Sequence, residues 1–337
     1  MPTGFKITEI GNYQVDVDDI LVRREYFSTG SLWYWNNTTM SPVTAAGSGL
    51  TWKFLTTGRY GSFAIKSDGT LWDYGTNFAA SPSQVSYAGY TNNDWKSFAC
   101  SYQYPGGQRT FMGIKNDGNI WAWGGNGFGQ LGVGDSVNKG SPVTVVGGHT
   151  WKSVAMAERS ETIGNNLAIR TDGTLWYMNT SPVQVTTGGT WKQISVNSSI
   201  SGIKTDGTLW SWSGTSSPTT IAGSGGYQWK SVSGGGGNTL AIRLDGTLWG
   251  IGSLPFGTYG TLTQFPGGGT NWKTVFGNSG MAIKTDGTLW SWGSTPGDGT
   301  SVSKSSPVLV VGGITNWYTA SVGGFEGAAA AITDITI

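Results

Sequence analysis

The chain has 337 residues but a single cysteine, Cys100, and a single histidine, His149. One cysteine excludes an internal disulfide framework. One histidine leaves no material for a histidine-based catalytic triad or a His/Cys zinc cluster. Charge is also scarce: 12% of residues are Asp, Glu, Lys or Arg, and the net charge is +1. A balance so close to neutral predicts no general attraction to nucleic acid or to anionic membrane. No apolar run reaches the ~20 residues of a membrane-spanning helix, so no membrane insertion is expected. The start, "MPTGFKITEIGNYQ", has neither the basic nor the apolar region of a secretory signal. No stretch carries a convincing helical period.

Glycine is abundant, with 56 of 337 residues, more than twice its usual share of about 7%. There are 18 tryptophans, and their spacing organises the chain. "IKTDGTLWSW" occurs at 203–212 and again at 283–292, with close variants at 65–74, 114–123, 169–178 and 242–251. The first Trp of this motif recurs at Trp33, Trp72, Trp121, Trp176, Trp210, Trp249 and Trp290. A second marker precedes each motif: "TWKFL" at 51, "DWKSF" at 94, "TWKSV" at 150, "TWKQI" at 190, "QWKSV" at 228, "NWKTV" at 271 and "NWYTA" at 316. A third marker, "SP" with a short apolar or polar residue, follows at 41, 81, 141, 181, 217 and 306, and "LTQF" at 262–265 stands in its place once. Seven repeats of about 40 residues, each with four short strand-like runs, predict an all-β, seven-bladed β-propeller. The tryptophans are then packing residues.

Asp-Gly between two strand-like runs predicts a two-residue hairpin turn. In the copy at 283–292 that register sets Ile283 opposite Trp290 and Lys284 opposite Leu289. The last repeat stops after "AAAAITD" at 328–334, and its missing half, "TGSLWYW", stands at 29–35. Pairing of N- and C-terminal strands therefore closes the ring, with 28–337 as propeller. Residues 1–27 remain as a short N-terminal arm. Val15, Val17, Ile20, Leu21, Tyr26 and Phe27 are among its many apolar residues, which suits a segment that attaches to something.

Variation collects in particular loops. The connections after the "WK" strand are longest at 100–113, "CSYQYPGGQRTFMG", and at 155–168, "AMAERSETIGNNLA". The loops after the "LW" strand are longest at 124–140 and 293–305. In an up-and-down blade these connections share one face of the ring, and function tends to sit on variable loops held by a rigid scaffold. Tyr102, Tyr104, Arg109, Glu158, Arg159 and Glu161 are the candidate binding residues there, because Tyr and Arg offer large contacts with polar ends. Glu158 and Glu161 could form a glycosidase-like carboxylate pair, and polar loop residues are the commoner reading. "GGNGFG" at 124–129 has phosphate-loop glycines but precedes no helix. Cys100 reads as a buried, inert thiol. The chain is expected to be non-enzymatic, with no cofactor and no metal.

"AIKTDGTLWSWG" with "SPV" and "WKSV" resembles the regulator of chromosome condensation repeat family, seven-bladed propellers closed by strands from both chain ends. The family's "GQLG" loop followed by "SPV" stands once, at Gly129-Gln130-Leu131-Gly132. Its eukaryotic founder is a nucleotide-exchange factor on chromatin, and this chain lacks a basic chromatin arm. The leader "VDVDDILVRREYFSTGSLWYW" is similar to the start of repeat proteins of bacteriophages, notably those of marine cyanobacteria. That resemblance implies a virion structural protein made in the host cytoplasm. It would attach to other virion proteins through 1–27 and present its propeller to a host surface protein or glycan. The alternative is a bacterial protein-binding or inhibitor module of the same propeller family.

Overall fold

The computed structural model describes residues 30–35, 40–45, 51–58, 61–75, 81–87, 93–103, 108–157, 159–160, 166–186, 188–197, 199–234, 237–255, 257–265, 268–277, 280–294, 296–322 and 329–333. Among these residues there is no helix. The strands form seven separate sheets, six antiparallel ones of four strands and one of five whose short fifth strand joins in parallel. Blades 1 to 6 follow in chain order, with inner strands starting at Trp52, Trp95, Trp151, Trp191, Trp229 and Trp272. Blade 7 combines Trp317–Val322 and Ala329–Thr333 with Leu32–Trp35 and Val43–Thr44. Leu32 pairs with Ile332, Trp33 with Ala331, Tyr34 with Ala330 and Trp35 with Ala329. The two-ended closure read from the sequence is thus the observed one. The arm, including Val15, Val17, Ile20, Leu21, Tyr26 and Phe27, lies outside the described residues.

The "WK" marker builds the inner strand. Every inner strand carries a register shift just after its Trp. One extra residue, Lys in six blades and Tyr318 in the seventh, is accommodated there, as in a β-bulge. The Trp before it is buried in all seven blades. It lies over the second strand, whose position before the Ile of "IK" is always Ala or Gly. A Cβ added at Gly202 would stand 2.7 Å from the Trp191 ring. The ring therefore sets the size limit at that position.

The register of the Asp-Gly hairpin differs from the two-residue expectation. Ile283 pairs with Leu289 and Ala282 with Trp290. Lys284 N–H donates to the Thr288 carbonyl, and Gly287 N–H to the Lys284 carbonyl, each at 3.0 Å. The loop thus has three residues, Thr285-Asp286-Gly287, with Gly287 left-handed at φ 78°. This is a type I turn closed by a glycine bulge. The one-residue difference moves the third strand's side chains to opposite faces. Met281, Ile283 and Leu289 pack toward blade 7, against Trp317 and Ala331. Ala282, Trp290 and Trp292 pack toward blade 5, against Leu240 and Phe265. Both faces of the blade are covered, as the apolar pattern required.

The reason for the three-residue loop lies in its side chains. Asp286 Oδ1 accepts from the backbone N–H of Thr288 at 3.0 Å and from its hydroxyl at 2.6 Å. The Thr288 Oγ1 in turn accepts from the Trp290 indole N–H at 2.9 Å. The same relay joins Asp68, Thr70 and Trp72, and recurs with Asp172, Asp206 and Asp245. The cation of "IK" or "IR" then lies over the half-buried indole: Lys66 over Trp72 at 3.4 Å, Lys284 over Trp290 at 3.8 Å and Lys204 over Trp210 at 3.9 Å. Every residue of K-x-D-G-T-L-W has a structural task, which accounts for its near-verbatim repetition.

Candidate functional site

Antiparallel order within each blade puts the Asp-Gly turns and the links between blades on one face of the ring. The connections after the inner and third strands lie on the other. On that second face blade 2 carries the longest described pair of inner and second strands, Trp95–Gln103 and Gln108–Lys115. Beside them runs a short fifth strand, Arg159–Ser160, contributed by the long loop of blade 3. It pairs in parallel, Arg159 with Tyr102 and Ser160 with Gln103. Tyr102 pairs on its other side with Arg109. Three of the six residues expected to converge, Arg159, Tyr102 and Arg109, therefore form one row across three strands. Tyr104, Glu158 and Glu161 lie outside the described residues.

Arg109 extends from this row toward blade 1, where its guanidinium stands 3.6 Å from the Asp73 carboxylate. Sequence reading missed Asp73. Its signal was positional: after the "LW" Trp the other repeats carry Tyr34, Ala122, Tyr177, Ser211, Gly250 and Ser291, none of them charged.

The long loops after the third strands are anchored structures. In the loop at 124–140, the Asn126 side-chain amide is fully buried. It donates to the carbonyls of Asp135 and Val137 and accepts from Leu131 N–H at 3.0 Å. Lys139 pairs with Asp135 at 2.7 Å. Gly134 N–H reaches over to the Thr180 carbonyl of blade 3. The glycines of "GGNGFG" thus serve a latch. The loop at 293–305 repeats the device: Lys304 pairs with Asp298 at 3.0 Å, and Gly299 N–H donates to the Met40 carbonyl of blade 7. The second latch therefore clasps the N-terminal half of the closing blade.

Blades are also stitched at the inner strands. Ser231 Oγ accepts from Val275 N–H at 3.2 Å, and Ser195 Oγ from Gly234 N–H at 2.9 Å. Ser321 Oγ accepts from Thr57 N–H at 3.1 Å. Gln193 both donates to the Val232 carbonyl and accepts from its N–H. A side chain of one blade thereby satisfies the open edge of the next.

The residues weighed for chemistry are dispersed. Cys100 is half-buried rather than buried, on the inner strand of blade 2 opposite Phe111. It packs at the margin of the apolar cluster shared by blades 1 and 2 rather than inside it. His149 packs against Trp176 at 5.0 Å between ring centres. Among the described residues no three His, Cys, Asp or Glu side chains are grouped as metal ligands.

The family model for the regulator of chromosome condensation (RCC1) repeat matches residues 117–159, the stretch that contains the first latch loop. No curated protein sequence matches the chain. Among solved structures, human WBSCR16 is similar with a TM-score of 0.73 at 12% identity, covering 91% of this chain and 100% of that one. Prp20p from Saccharomyces cerevisiae, whose structure was described with its binding to Gsp1p and histones, is similar at 0.68 and 12%, with 92% of each chain covered. The same yeast protein bound to Kap60 gives 0.69 at 12%, over 100% of this chain and 97% of that one. The chain is thus an RCC1-like seven-bladed β-propeller, and 117–159 is the stretch in which its sequence matches that repeat.

Proposed function

We propose that this propeller is a non-enzymatic protein-binding module, and that it serves as a structural protein of a bacteriophage particle. In that role 1–27 attaches to other virion proteins, and the long-loop face meets the host surface or a neighbouring particle protein. The observation that carries the binding half is the pairing of Arg159–Ser160 with Tyr102–Gln103, which joins the long inner-strand connections of blades 2 and 3 into one platform. A platform rich in Tyr and Arg suits recognition, since both residue types are enriched among binding hot spots. The fold likeness to Prp20p, a protein with protein partners, supports the same reading. The virion half is supported by the resemblance of "VDVDDILVRREYFSTGSLWYW" to phage repeat proteins.

Labelled full-length protein should bind host cells or purified particles. Tyr104→Ala combined with Arg159→Ala should reduce that binding at least tenfold, since losing two hot spots costs roughly 1–2 kcal/mol each, with the melting temperature unchanged. Unaltered binding by a stable double variant removes this face from the mechanism. Mass spectrometry of gradient-purified particles tests the virion half: peptides of this chain are expected in them, and their absence leaves only the binding module.

A further inference from the structure

Blades 1 and 2 share an apolar cluster in which Phe63, Ile65 and Leu71 meet Trp95, Phe98 and Trp123. A cavity of about 210 Å³ opens between them, lined by Phe63, Tyr87, Phe111, Trp123, Asp73 and Ser83 among others. Four of these six are aromatic. Phe63 and Phe111 meet edge to face at 5.5 Å, Phe111 and Trp123 lie 5.2 Å apart, and Tyr87 meets Trp123 at 5.7 Å. Asp73 supplies the one charge in the lining.

This combination departs from the repeat at two facing positions. Where blade 2 has Phe111, the other blades have Ser62, Asn166, Ile200, Thr239, Gly280 and Ala329. Where blade 1 has Asp73, they have uncharged residues. The combination of Phe111 with Asp73 therefore occurs at one blade junction only. Burial first, and then the neighbouring Asp73 charge, hold the Tyr87 phenol above its ordinary range.

Aromatic faces and a carboxylate together attract a cation whose stem is apolar. The size restricts it further. Pockets for whole small molecules are typically ~300–1,000 Å³, so this one suits a single side chain. Asp73 Oδ1 is already held by Gly75 N–H at 2.6 Å. Its Oδ2 faces Arg109 at 3.6 Å, beyond hydrogen-bonding length. With Oδ1 held, Oδ2 alone is left to a cation, which favours a compact ammonium over a guanidinium, whose best carboxylate geometry uses both oxygens.

We infer that this cavity takes a lysine side chain of a partner protein, its methylenes against Phe111 and Trp123 and its ammonium at Asp73. Arg109 then acts as the competing in-house cation at the mouth. The proposal depends on the protein-binding reading only for the source of the lysine, so the cavity is tested with a free amide. Saturation-transfer NMR on the full chain would compare Nα-acetyl-lysine N-methylamide with its norleucine counterpart, which lacks the charge. The lysine amide should bind, and the norleucine amide at least fivefold more weakly. Asp73→Asn keeps the acceptor for Gly75 and should weaken lysine binding at least fivefold. Arg109→Ala should strengthen it two- to fivefold. Equal binding of the two amides, no binding of either, or an unaffected Asp73→Asn variant overturns the proposal. So does weaker binding by Arg109→Ala, which also covers the case of Asp73→Asn failing to fold. A negative result here leaves the cell and particle binding tests standing.

Discussion

In the turn at 284–288, one carboxylate oxygen organises two donors of Thr288, and that threonine orients Trp290. Asp286→Ala removes both contacts and should cost about 1–2 kcal/mol, read as a lower urea midpoint. Gly287 is equally specified: it is left-handed, and a Cβ there would collide with the Thr315 carbonyl oxygen of the next blade. The same carboxylates make stability depend on pH. Asp172, Asp206, Asp245 and Asp286 all have pKa values below the ordinary range, chiefly because a threonine hydroxyl donates to each. A depressed folded pKa stabilises fully above the unfolded value of about 3.9 and ceases to as pH falls through the folded value. The melting temperature should therefore hold above about pH 4.5 and fall between about pH 4 and 2. Asn at all four positions keeps an acceptor oxygen and should flatten that fall. A slope identical to the wild type's would show that other groups govern acid unfolding.

Strands and their order were legible in the sequence because two markers recur in all seven repeats and a third in six. The hairpin register was not, since Asp-Gly serves both a two-residue and a three-residue loop. The deciding signal was the Thr after the Gly, whose amide and hydroxyl both reach back to the Asp. Contacts between blades were less legible still. Ser231 is simply the third residue of "WKSV", yet its hydroxyl satisfies a backbone N–H 44 residues away, on Val275. Ser231→Ala should cost about 1–3 kcal/mol by leaving that buried N–H without its acceptor. It should also speed hydrogen exchange at Val275 more than at amides inside the ladder. An unchanged exchange rate would mean that the stitch is redundant. The recognition row was half legible: loop length pointed to Tyr102, Arg109 and Arg159, whereas Asp73 and Phe111 stand out only once the repeats are aligned strand by strand.

At the scale of the ring, one strand makes the join. Ala329–Thr333 is buried throughout and pairs on one side with Trp317–Val322 and on the other with Leu32–Trp35. Ala329 and Ala331 pack in the cluster of Trp317, with Trp33 and Trp35 at 6.3 and 6.5 Å from that ring, while Ala330 faces Trp52 and Leu55 of blade 1. Deleting 328–337 should open the ring and lower the melting temperature by more than 10 °C, given that ~1 kcal/mol shifts a large domain by about 2–4 °C. A truncated chain that melts at the original temperature would place the join elsewhere.

The seam also orders events in time. Leu32–Trp35 leaves the ribosome with the first part of the chain, and its partner, Ala329–Thr333, almost 300 residues later. At ~5–20 residues per second, the interval is roughly 15–60 s. Throughout it the segment "LWYW" has Val43–Thr44 for a partner on one side only, and its other side is the kind of open edge that recruits other chains. Six blades can be assembled while the first strand still waits. The fitting of that strand into the nearly finished circle is then the last step of ring closure, and the one most exposed to error when several copies are being translated side by side.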